Sequence, residues 1–472
     1  MRPKRIVTEL DPFFHPKSLA LVGATGKQGK VGRLFMDRFL ETRFQTLYPV
    51  NPGAGEILGV KAYASLKEIP GPVDVALVVT PPNAVVETIK ECVAKGVKGI
   101  IINSAGFGEG GGFGKEIEKE MVRIAQEGGA RIIGPNCIGI YCPSAKLPFP
   151  MGAAQESGSV GVISQSGSLA DHLTLLATKT GVKFSKAISC GNECDLNATD
   201  FLEYLGEDPQ TEIIVSYLEG IKDGRKFHQL IKEISKSKPL IIWKGGMSEA
   251  GARAAASHTG ALAGSPSVWE GVLNSAGVVR VKSFEEILDT LYVFYFQPLP
   301  RGRKVAIITA TGGPAVGTTD ACLEMGMEVP NLSKETKEKL RKIIPAAGTS
   351  VQNPIDLTLG AAVDADVYAE VIRTVAGDDD IDLLMIIGSG GKQFREITSG
   401  AARTLTKPIV VSIIMPPETV LEDSKVFLGK GIPVYPDPRR AAKALSKLAR
   451  YANFRRDHNH GEALFREGPW RS

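Results

Sequence analysis

Short, continuous runs of hydrophobic residues alternate with amphipathic stretches near the start of the chain. A run that is hydrophobic at every position is typical of a strand buried on both faces of a parallel sheet. The predicted strands are Leu19–Val22, Thr46–Val50, Val75–Val79, Ile100–Ile102 and Arg131–Ile133. The stretches between them, such as residues 85–95 and 115–127, have the hydrophobic spacing of helices. This alternation predicts a doubly wound α/β domain.

The same alternation returns twice further along the chain. The strands predicted there are Val160–Ile163, Ile213–Val215, Leu240–Trp243, Val305–Ile308, Leu383–Ile387 and residues 408–411. Breaks rich in Pro and Gly at residues 142–157 and 298–302 are predicted to be linkers. We therefore expect three domains, at residues 1–145, 146–299 and 300–472. Because the sequence turns polar after Lys447, we expect the fold to end there in a polar tail.

Length and composition agree with three ordinary domains. The chain has 472 residues, of which 43% are hydrophobic and 23% charged, which is the balance of a soluble globular protein. A net charge of +4 favours no polyanionic partner, so nucleic-acid binding is not expected. The basic N-terminus is followed by Thr8–Asp11 rather than by a long apolar run, which predicts neither a signal peptide nor a membrane anchor. We expect a cytoplasmic protein.

Six cysteines are scattered along the chain, far below the density of a disulfide scaffold. Cys190 and Cys194 lie four residues apart, but no matching pair of His or Cys residues is near them in sequence. Reduced, buried thiols are therefore predicted, and no metal site is expected.

A glycine-rich segment, Leu21–Gly32, follows the first predicted strand and opens a helix. Its glycines allow a tight turn and the close approach of a phosphate-bearing ligand. Such a loop also suits NAD, but Asn51 stands near the end of the second strand where a dinucleotide enzyme needs an acidic residue. The loops after the next three strands begin near Thr80, Ser104 and Gly134, at the edge where doubly wound sheets bind ligands.

Two segments, residues 160–170 and 305–315, resemble each other. Both predict a buried strand, a turn of small residues and the start of a helix. Glycines and hydroxyl groups at a helix start leave several backbone N–H groups free for an anion. Two interpretations are open. Either the two segments are alike only because all strand-to-helix turns are alike, or the two helix starts face one phosphate.

A single histidine, His258, stands among small residues in Gly251–Gly264, where we expect a loop open to substrate. Neutral imidazole is a competent nucleophile toward an activated phosphoryl group. It needs a carboxylate to hold its second ring nitrogen, and Glu219, just after a predicted strand, is the candidate.

These motifs together resemble the ADP-forming acetyl-CoA synthetase group, which is related to succinyl-CoA synthetase. The resemblance covers the chain from about Phe13 to Lys447. Its most specific segments are the opening Gly-Ala-Thr loop and residues 164–167, 191–195, 217–220 and 257–260. It implies an α/β fold with a Rossmann-like CoA-binding domain followed by two flavodoxin-like, doubly wound parallel-sheet domains.

The resemblance also implies roles for individual residues. His258 accepts the phosphoryl group, and Glu219 orients and stabilises the phosphohistidine. The phosphate lies at two helix starts, formed by Ser166, Gly167 and Ser168 and by Thr311, Gly312 and Gly313. The residues implied to line the CoA site are Gly23, Ala24, Thr25, Lys27, Val50, Asn51, Pro52, Thr80, Pro81, Ser104, Ala105 and Asn136.

The reaction of this family is reversible. It converts acyl-CoA, inorganic phosphate and ADP into a carboxylic acid, CoA and ATP through an acyl phosphate and a phosphohistidine. No ATP-grasp unit follows the third predicted domain, so we expect ADP or ATP and Mg to bind a separate ATP-grasp beta subunit. By analogy, the assembly is expected to be α2β2.

Three alternatives stay open at this point. A non-catalytic CoA-binding sensor is disfavoured because both His258 and Glu219 are present. A nicotinamide-dependent oxidoreductase is supported by the glycine loop alone. The third keeps the chemistry but replaces acetate by an aryl, branched or dicarboxylic acid, because the motifs do not identify the residues around the acid. The choice between ADP and GDP and the physiological direction are open as well.

Overall fold

Parallel sheets form the centre of each part of the chain that the computed structural model describes. The described residues are 5–149, 151–259, 265–310, 312–345, 348–358 and 364–458, without the side chains of 256–259. They divide into two units, Met1–Lys282 and Ser283–Ser472. The first unit contains two five- or six-stranded sheets and the second unit contains one.

The first sheet of unit one has the strand order β2-β1-β5-β6-β7, and all its strands are parallel. The elements of this part are α1 (Arg5–Phe14), β1 (Leu19–Val22), α2 (Val31–Thr42), β2 (Leu47–Val50), β3 (Glu56–Ile57), β4 (Val60–Lys61), β5 (Val75–Val78), α3 (Pro82–Lys95), β6 (Gly99–Ile102), α4 (Gly112–Glu127) and β7 (Arg131–Ile133), with 3-10 turns at Leu66–Glu68 and Gly108–Gly110. Strands β3 and β4 form a small separate hairpin.

The second sheet of unit one has the order β13-β12-β11-β9-β10-β8. Its elements are β8 (Gly139–Tyr141), a 3-10 turn at Pro143–Ala145, β9 (Ser157–Ser164), α5 (Gly167–Thr178), β10 (Phe184–Ser189), α6 (Ala198–Glu207), β11 (Ile213–Leu218), α7 (Gly224–Ile234), β12 (Leu240–Lys244), α8 (Glu249–Thr259), α9 (Pro266–Ser275) and β13 (Val279–Val281). Strand β8 precedes the predicted linker in sequence, yet it pairs antiparallel with β10 at the edge of this sheet.

The sheet of unit two has the order β15-β14-β16-β17-β18 and is parallel throughout. Its elements are α10 (Phe284–Phe296), β14 (Val305–Thr309), α11 (Gly312–Glu324), α12 (Lys334–Ile343), β15 (Ile355–Asp356), α13 (Ala365–Ala376), β16 (Leu383–Gly388), α14 (Lys392–Ala402), β17 (Ile409–Ile413), α15 (Pro417–Leu428), β18 (Val434–Tyr435) and α16 (Pro438–His458).

The hydrophobic runs read from the sequence are the central strands. Strands β1, β5 and β6 are buried at every position, and so are β14 and β17. Helices cover both faces of such a sheet, so no position of a central strand meets water. The predicted α/β class with doubly wound parallel sheets is therefore confirmed. The predicted boundaries of three domains stay a prediction.

The C-terminal helix departs from expectation. We expected the fold to end at about Lys447, but α16 continues to His458. Leu448 and Tyr451, beyond that point, are buried because they share one face of the helix with Ala441 and Leu445. Arginines and lysines between these positions made the segment look polar, although they occupy the other faces of the same helix.

Helix α2 touches the first glycine turn so closely that only glycine fits at position 32. A Cβ atom on Gly32 would lie 2.2 Å from the carbonyl oxygen of Gly23. We expect Gly32→Ala to lower the free energy of unfolding by about 1–3 kcal/mol through overpacking. Gly26→Ala in the same loop is the control, because nothing lies within 4 Å of its Cβ position. Thermal melts followed by circular dichroism check this, and equal melting temperatures for the two variants would contradict it.

Candidate active site

The second sheet of unit one provides a crevice at the carboxyl ends of β9 and β11. These strands are neighbours in the sheet, and the connections that follow them lead to opposite sides of it. Ligands of doubly wound sheets bind at such a switch in strand order. Gln165 follows β9, and Glu219 follows β11. The register of the two strands, with Ser164 opposite Tyr217, brings these side chains together.

Glu219 has a buried carboxylate, of which one oxygen has no partner among the described residues. Its residue is 7% exposed. The Tyr217 hydroxyl donates to Oε1 at 3.2 Å, whereas Oε2 is buried and accepts no hydrogen bond. Burial and the neighbouring carboxylate raise the pKa of Tyr217 to about 12, so its hydroxyl remains a donor. A buried acceptor is costly to leave unpaired, which favours a donor that arrives during function.

The backbone around Glu219 is held from two sides. Gln165 Oε1 accepts from the backbone N–H groups of Glu219 and Gly220, the latter at 3.1 Å. Lys244 Nζ donates to the carbonyl oxygen of Glu219 at 2.8 Å. Burial lowers the pKa of Lys244, although the nearby Glu219 carboxylate opposes this shift. These hydrogen bonds fix the backbone of Glu219, and thereby the position from which its carboxylate extends.

Helix α5 begins beside this carboxylate, at Gly167. Ser166 is its N-cap, and the Ser166 hydroxyl accepts from the backbone N–H of Leu169 at 3.4 Å. The hydroxyls of Ser166 and Ser168 lie 3.3 Å apart. The first turn of a helix carries unpaired N–H groups and the positive end of the helix dipole, so it attracts an anion. The three predicted phosphate residues of unit one thus share one helix start.

The predicted nucleophile lies on a helix instead of a loop. The backbone of His258 belongs to α8 (Glu249–Thr259), so the expectation of a loop is wrong for this part of Gly251–Gly264. Alanine is the best helix former, and the run of alanines around Arg253 explains the helix. The side chain of His258 and residues 260–264 lie outside the described part of the chain.

The second predicted helix start belongs to unit two. Gly312 and Gly313 begin α11 directly after β14, as the likeness to the β9 and α5 segment predicted. Strand β14 neighbours β16 at the corresponding switch in strand order of this sheet. Thr311 lies outside the described residues.

The predicted CoA residues gather at the carboxyl edge of the first sheet. Val50 is the last residue of β2. The others lie in the loops that follow strands β1, β2, β5, β6 and β7: Gly23, Ala24, Thr25, Lys27, Asn51, Pro52, Thr80, Pro81, Ser104, Ala105 and Asn136. Hydrogen bonds join neighbouring loops: Asn51 Nδ2 donates to the Ala24 carbonyl at 2.7 Å, and the Asn136 backbone N–H donates to the Ser104 carbonyl at 2.9 Å. These twelve residues therefore line one continuous edge.

This edge fits a polar, phosphate-bearing ligand in three respects. The hydroxyl oxygen of Thr80 is buried and has no hydrogen-bond partner among the described residues, so it has a free donor for a ligand. Gly23 has φ +94° and lies against Val79, which keeps the turn after β1 narrow. Lys27 is exposed beside this turn, and its ammonium group is available to a negatively charged ligand.

A cleft of about 590 Å³ opens beside Glu219 and contains residues to which the sequence analysis gave no role. Helix α4 forms one wall, and the loops 191–194 and 220–222 form the other. The cleft is lined by Gly108, Lys115, Glu118, Lys119, Val122, Gln165, Gly191, Asn192, Glu193, Cys194, Gly220, Ile221 and Lys222. The segment 191–195 carried part of the family resemblance, and this was the signal in the sequence that could have pointed to the cleft. The sequence of this segment does not show which of its side chains face the site.

Asn192 connects this cleft with the CoA edge. Its Nδ2 donates to Glu118 Oε1 at 2.8 Å and also to the carboxylate of Glu109. Burial alone would raise the pKa of Glu109, but hydrogen bonds from the Gly106 backbone and from Asn192 outweigh it and lower that pKa. Asn136 Nδ2 lies 3.3 Å from Asn192 Oδ1. The predicted CoA residue Asn136 is thus hydrogen-bonded to the wall of the cleft.

The cysteines and acidic residues give no sign of a metal centre in the described residues. All six cysteines are free, and five of them are buried. No group of three or more His, Cys, Asp and Glu side chains is placed to hold a metal ion within the described ranges. Helices long and apolar enough to cross a membrane are absent from the same residues.

Three domain families match consecutive parts of the chain. A CoA binding domain matches residues 17–143, a succinyl-CoA ligase like flavodoxin domain matches residues 157–294, and a ligase-CoA domain matches residues 305–458. The fold and the crevice at Glu219 therefore define a class of protein, the CoA ligases with flavodoxin-like domains.

Relatives of known name define the family more closely. The chain is 40% identical to the alpha subunit of ADP-forming acetate–CoA ligase II from Pyrococcus furiosus, over 94% of this chain and 98% of that subunit. It is 36% identical to ADP-forming acetate–CoA ligase I from Archaeoglobus fulgidus, over 94% of this chain but 64% of that longer protein. The chain belongs to the family of ADP-forming acetate–CoA ligases.

A solved structure agrees with this assignment. The dinucleotide forming acetyl-coenzyme A synthetase 1 of Ca. Korarchaeum cryptofilum, in complex with phosphate and ADP, superimposes with a TM-score of 0.86 at 32% identity. The match covers 95% of this chain and 97% of that one. The predicted order of a CoA-binding domain and two flavodoxin-like domains is confirmed.

Proposed function

We propose that the chain is the alpha subunit of an ADP-forming acid–thiol ligase that acts on acetyl-CoA. The observation that supports it most directly is the unpartnered carboxylate oxygen of Glu219, buried at a switch in strand order beside the start of helix α5. A carboxylate in this position can accept the N–H of an imidazole whose other nitrogen carries a phosphoryl group. The positive helix end favours the charge of that group.

The reaction proceeds in three steps. An oxygen of inorganic phosphate attacks the thioester carbon, the C–S bond breaks, and CoA leaves as the thiol with acetyl phosphate remaining. The imidazole nitrogen of His258 then attacks phosphorus, and acetate leaves with the electrons of the P–O bond. In the third step an oxygen of ADP takes the phosphoryl group, the N–P bond breaks, and ATP forms.

Each group of residues has one task in this scheme. Ser166, Gly167 and Ser168 bind the phosphate through hydroxyls and helix N–H groups, and Glu219 holds the imidazole. Thr311, Gly312 and Gly313 are proposed to bind the phosphoryl group at the second helix start. CoA binds along the twelve residues at the edge of the first sheet, with Asn136 nearest the cleft because of its bond to Asn192.

The nucleotide is proposed to bind a partner. The relative from Pyrococcus furiosus is named a subunit alpha, and this chain spans nearly all of it, which supports a separate beta subunit. We propose that this partner is an ATP-grasp protein that holds ADP or ATP with Mg, in an α2β2 assembly. The six free thiols agree with a reducing compartment, and we propose the cytoplasm.

Labelled inorganic phosphate tests the function. Purified chain with its partner subunit, incubated with acetyl-CoA and labelled phosphate without ADP, is expected to gain label that is stable in base and labile in acid. A second incubation with ADP added should transfer the label to ATP. A protein that binds CoA but gains no label with acetyl-CoA, or with aryl, branched and dicarboxylic acyl-CoA thioesters, would instead be a CoA sensor.

A further inference from the structure

Asn192 lies where the cleft beside Glu219 meets the CoA edge. It belongs to the loop that follows β10 of the second sheet, and this loop packs against the loop that follows β7 of the first sheet. The backbone N–H of Asn192 donates to the carbonyl oxygen of Pro135 at 2.9 Å. A Cβ atom on the preceding Gly191 would lie 2.1 Å from the same oxygen. The side chain of Asn192 therefore extends from a closely packed backbone.

The carboxamide of Asn192 uses both of its N–H groups and its oxygen. Its Nδ2 donates to Glu118 Oε1 at 2.8 Å and to Glu109 Oε2. Its Oδ1 accepts from Asn136 Nδ2 at 3.3 Å. A half-turn of the amide would turn its oxygen toward two carboxylates and its NH2 group toward the NH2 group of Asn136. The amide therefore has one acceptable orientation.

The two carboxylates that accept from Asn192 also hold the turn that follows β6. Glu109 Oε1 accepts from the backbone N–H of Gly106, and Glu118 Oε1 accepts from the backbone N–H of Gly108 at 3.0 Å. Without a donor between them, the two negative charges would repel each other. Asn192 supplies that donor, so it keeps both carboxylates beside the turn.

These hydrogen bonds form a closed ring through two loops of the CoA edge. The backbone N–H of Asn136 donates to the carbonyl oxygen of Ser104 at 2.9 Å, which joins the loop after β7 to the loop after β6. The side chain of Asn136 leads to Asn192, and the two carboxylates lead back to the turn at 106–108, which begins two residues after Ser104. The ring therefore fixes the spacing of two loops that are proposed to bind CoA.

We propose that Asn192 is a positioning residue for CoA, which holds the loops after β6 and β7 at the spacing that CoA requires at the mouth of the cleft. This inference rests on the proposed function. It gives Asn192 no bond to substrate, because both N–H groups of its amide are already used. A preformed site lowers the cost of ordering the loops on binding. The loss of Asn192 should therefore weaken CoA binding and leave the rate at saturation unchanged.

Asn192→Asp tests the inference, because it keeps the size of the side chain and replaces its NH2 group by an oxygen. The new carboxylate cannot donate to Glu109 or Glu118, and it repels both. On the chain with its partner subunit, calorimetric titration is expected to show a Kd for CoA raised about 10-fold. In the phosphate-labelling assay the KM for acetyl-CoA should rise by the same factor. The kcat and the KM for phosphate should stay near wild type, because phosphate is proposed to bind at the start of α5.

Glu109→Gln provides a rescue, because each oxygen of Glu109 has one partner: Gly106 N–H on Oε1 and the amide of Asn192 on Oε2. E109Q alone places an NH2 group against the NH2 group of Asn192 and should also weaken CoA binding. In the double variant N192D/E109Q, donor and acceptor are exchanged, and the cluster has the same charge as in wild type. We expect its Kd for CoA to be about threefold lower than that of N192D.

Asn274→Asp is the matched control for an added negative charge. Asn274 is exposed on α9 of the same unit, and its Oδ1 accepts from Arg280 at 3.3 Å, a bond that an aspartate keeps. We expect its Kd for CoA to equal that of wild type. Equal increases in N274D and N192D would show a general effect of charge and overturn the inference.

The remaining outcomes separate the inference from the proposed function. Wild-type protein that binds CoA but forms no phosphoenzyme contradicts the proposed reaction. If N192D binds CoA as tightly as wild type, or if E109Q does not improve binding by N192D, the positioning role is wrong. It is also wrong if kcat falls at an unchanged KM, or if the melting temperature falls and both KM values rise together. Should N192D fail to fold, E109Q alone decides, and a wild-type Kd for CoA in E109Q overturns the inference.

Discussion

Replacing His258 by alanine is expected to remove the phosphoenzyme entirely and to lower ATP formation by about 10⁴-fold or more, because the only group proposed to carry the phosphoryl between substrates is lost. The measurement is acid-labile, base-stable label after incubation with acetyl-CoA and labelled phosphate. His258 belongs to a helix rich in alanine, so the substitution agrees with the local helix and should leave the melting temperature nearly unchanged.

His228→Ala is the matched control for this loss. His228 lies on α7 of the same unit, with its Nε2 at 3.4 Å from the Ser275 hydroxyl, and has no part in the proposed site. We expect this variant to be labelled like wild type. Label that persists in the His258 variant, or disappears equally in both, would refute the assignment of the nucleophile.

Glu219→Gln is expected to reduce the rate of phosphoenzyme formation by about 100-fold while leaving the protein as stable as wild type, or more stable. The amide keeps the volume and the acceptor for Tyr217, but it removes the negative charge that stabilises the developing imidazolium. Because Oε2 of Glu219 is buried without a hydrogen-bond donor among the described residues, and burying a charge costs more than burying an amide, the substitution should not lower the free energy of unfolding.

Activity and stability must be measured on the same preparation. The rate comes from the phosphate-labelling assay and the stability from urea unfolding, with the exposed Glu233→Gln as a control for the loss of one charge. A variant that loses rate and stability together would indicate a structural role for Glu219. Full activity in E219Q would remove it from the mechanism.

The residues with the largest expected effects were readable from the sequence, but their surroundings were not. Glu219 was found because it follows a predicted strand, and Ser166 because it precedes a predicted helix. The orphaned oxygen of Glu219 and its connection to Gln165 depend on contacts between positions 54 apart in the sequence. No local pattern contains such a contact.

Glu193 illustrates the same limit at the site itself. Its segment carried part of the family resemblance, yet no local pattern distinguishes Glu193 from an ordinary surface glutamate. Its burial follows from the packing of loop 191–194 against Pro135, which belongs to a loop of the first sheet. The raised pKa of Glu193 is a consequence of that packing, since burial disfavours the charged form.

The sequence by itself determined the α/β class, the central strands and the family, because continuous hydrophobic runs and short motifs are local properties of the chain. The tertiary structure alone decided that β8 joins the second sheet, that residues 249–259 form a helix, and which side chains line the cleft beside Glu219. The physical reason is that strand order and the packing of loops bring distant segments together, and burial, hydrogen-bond partners and pKa values arise only where those segments meet.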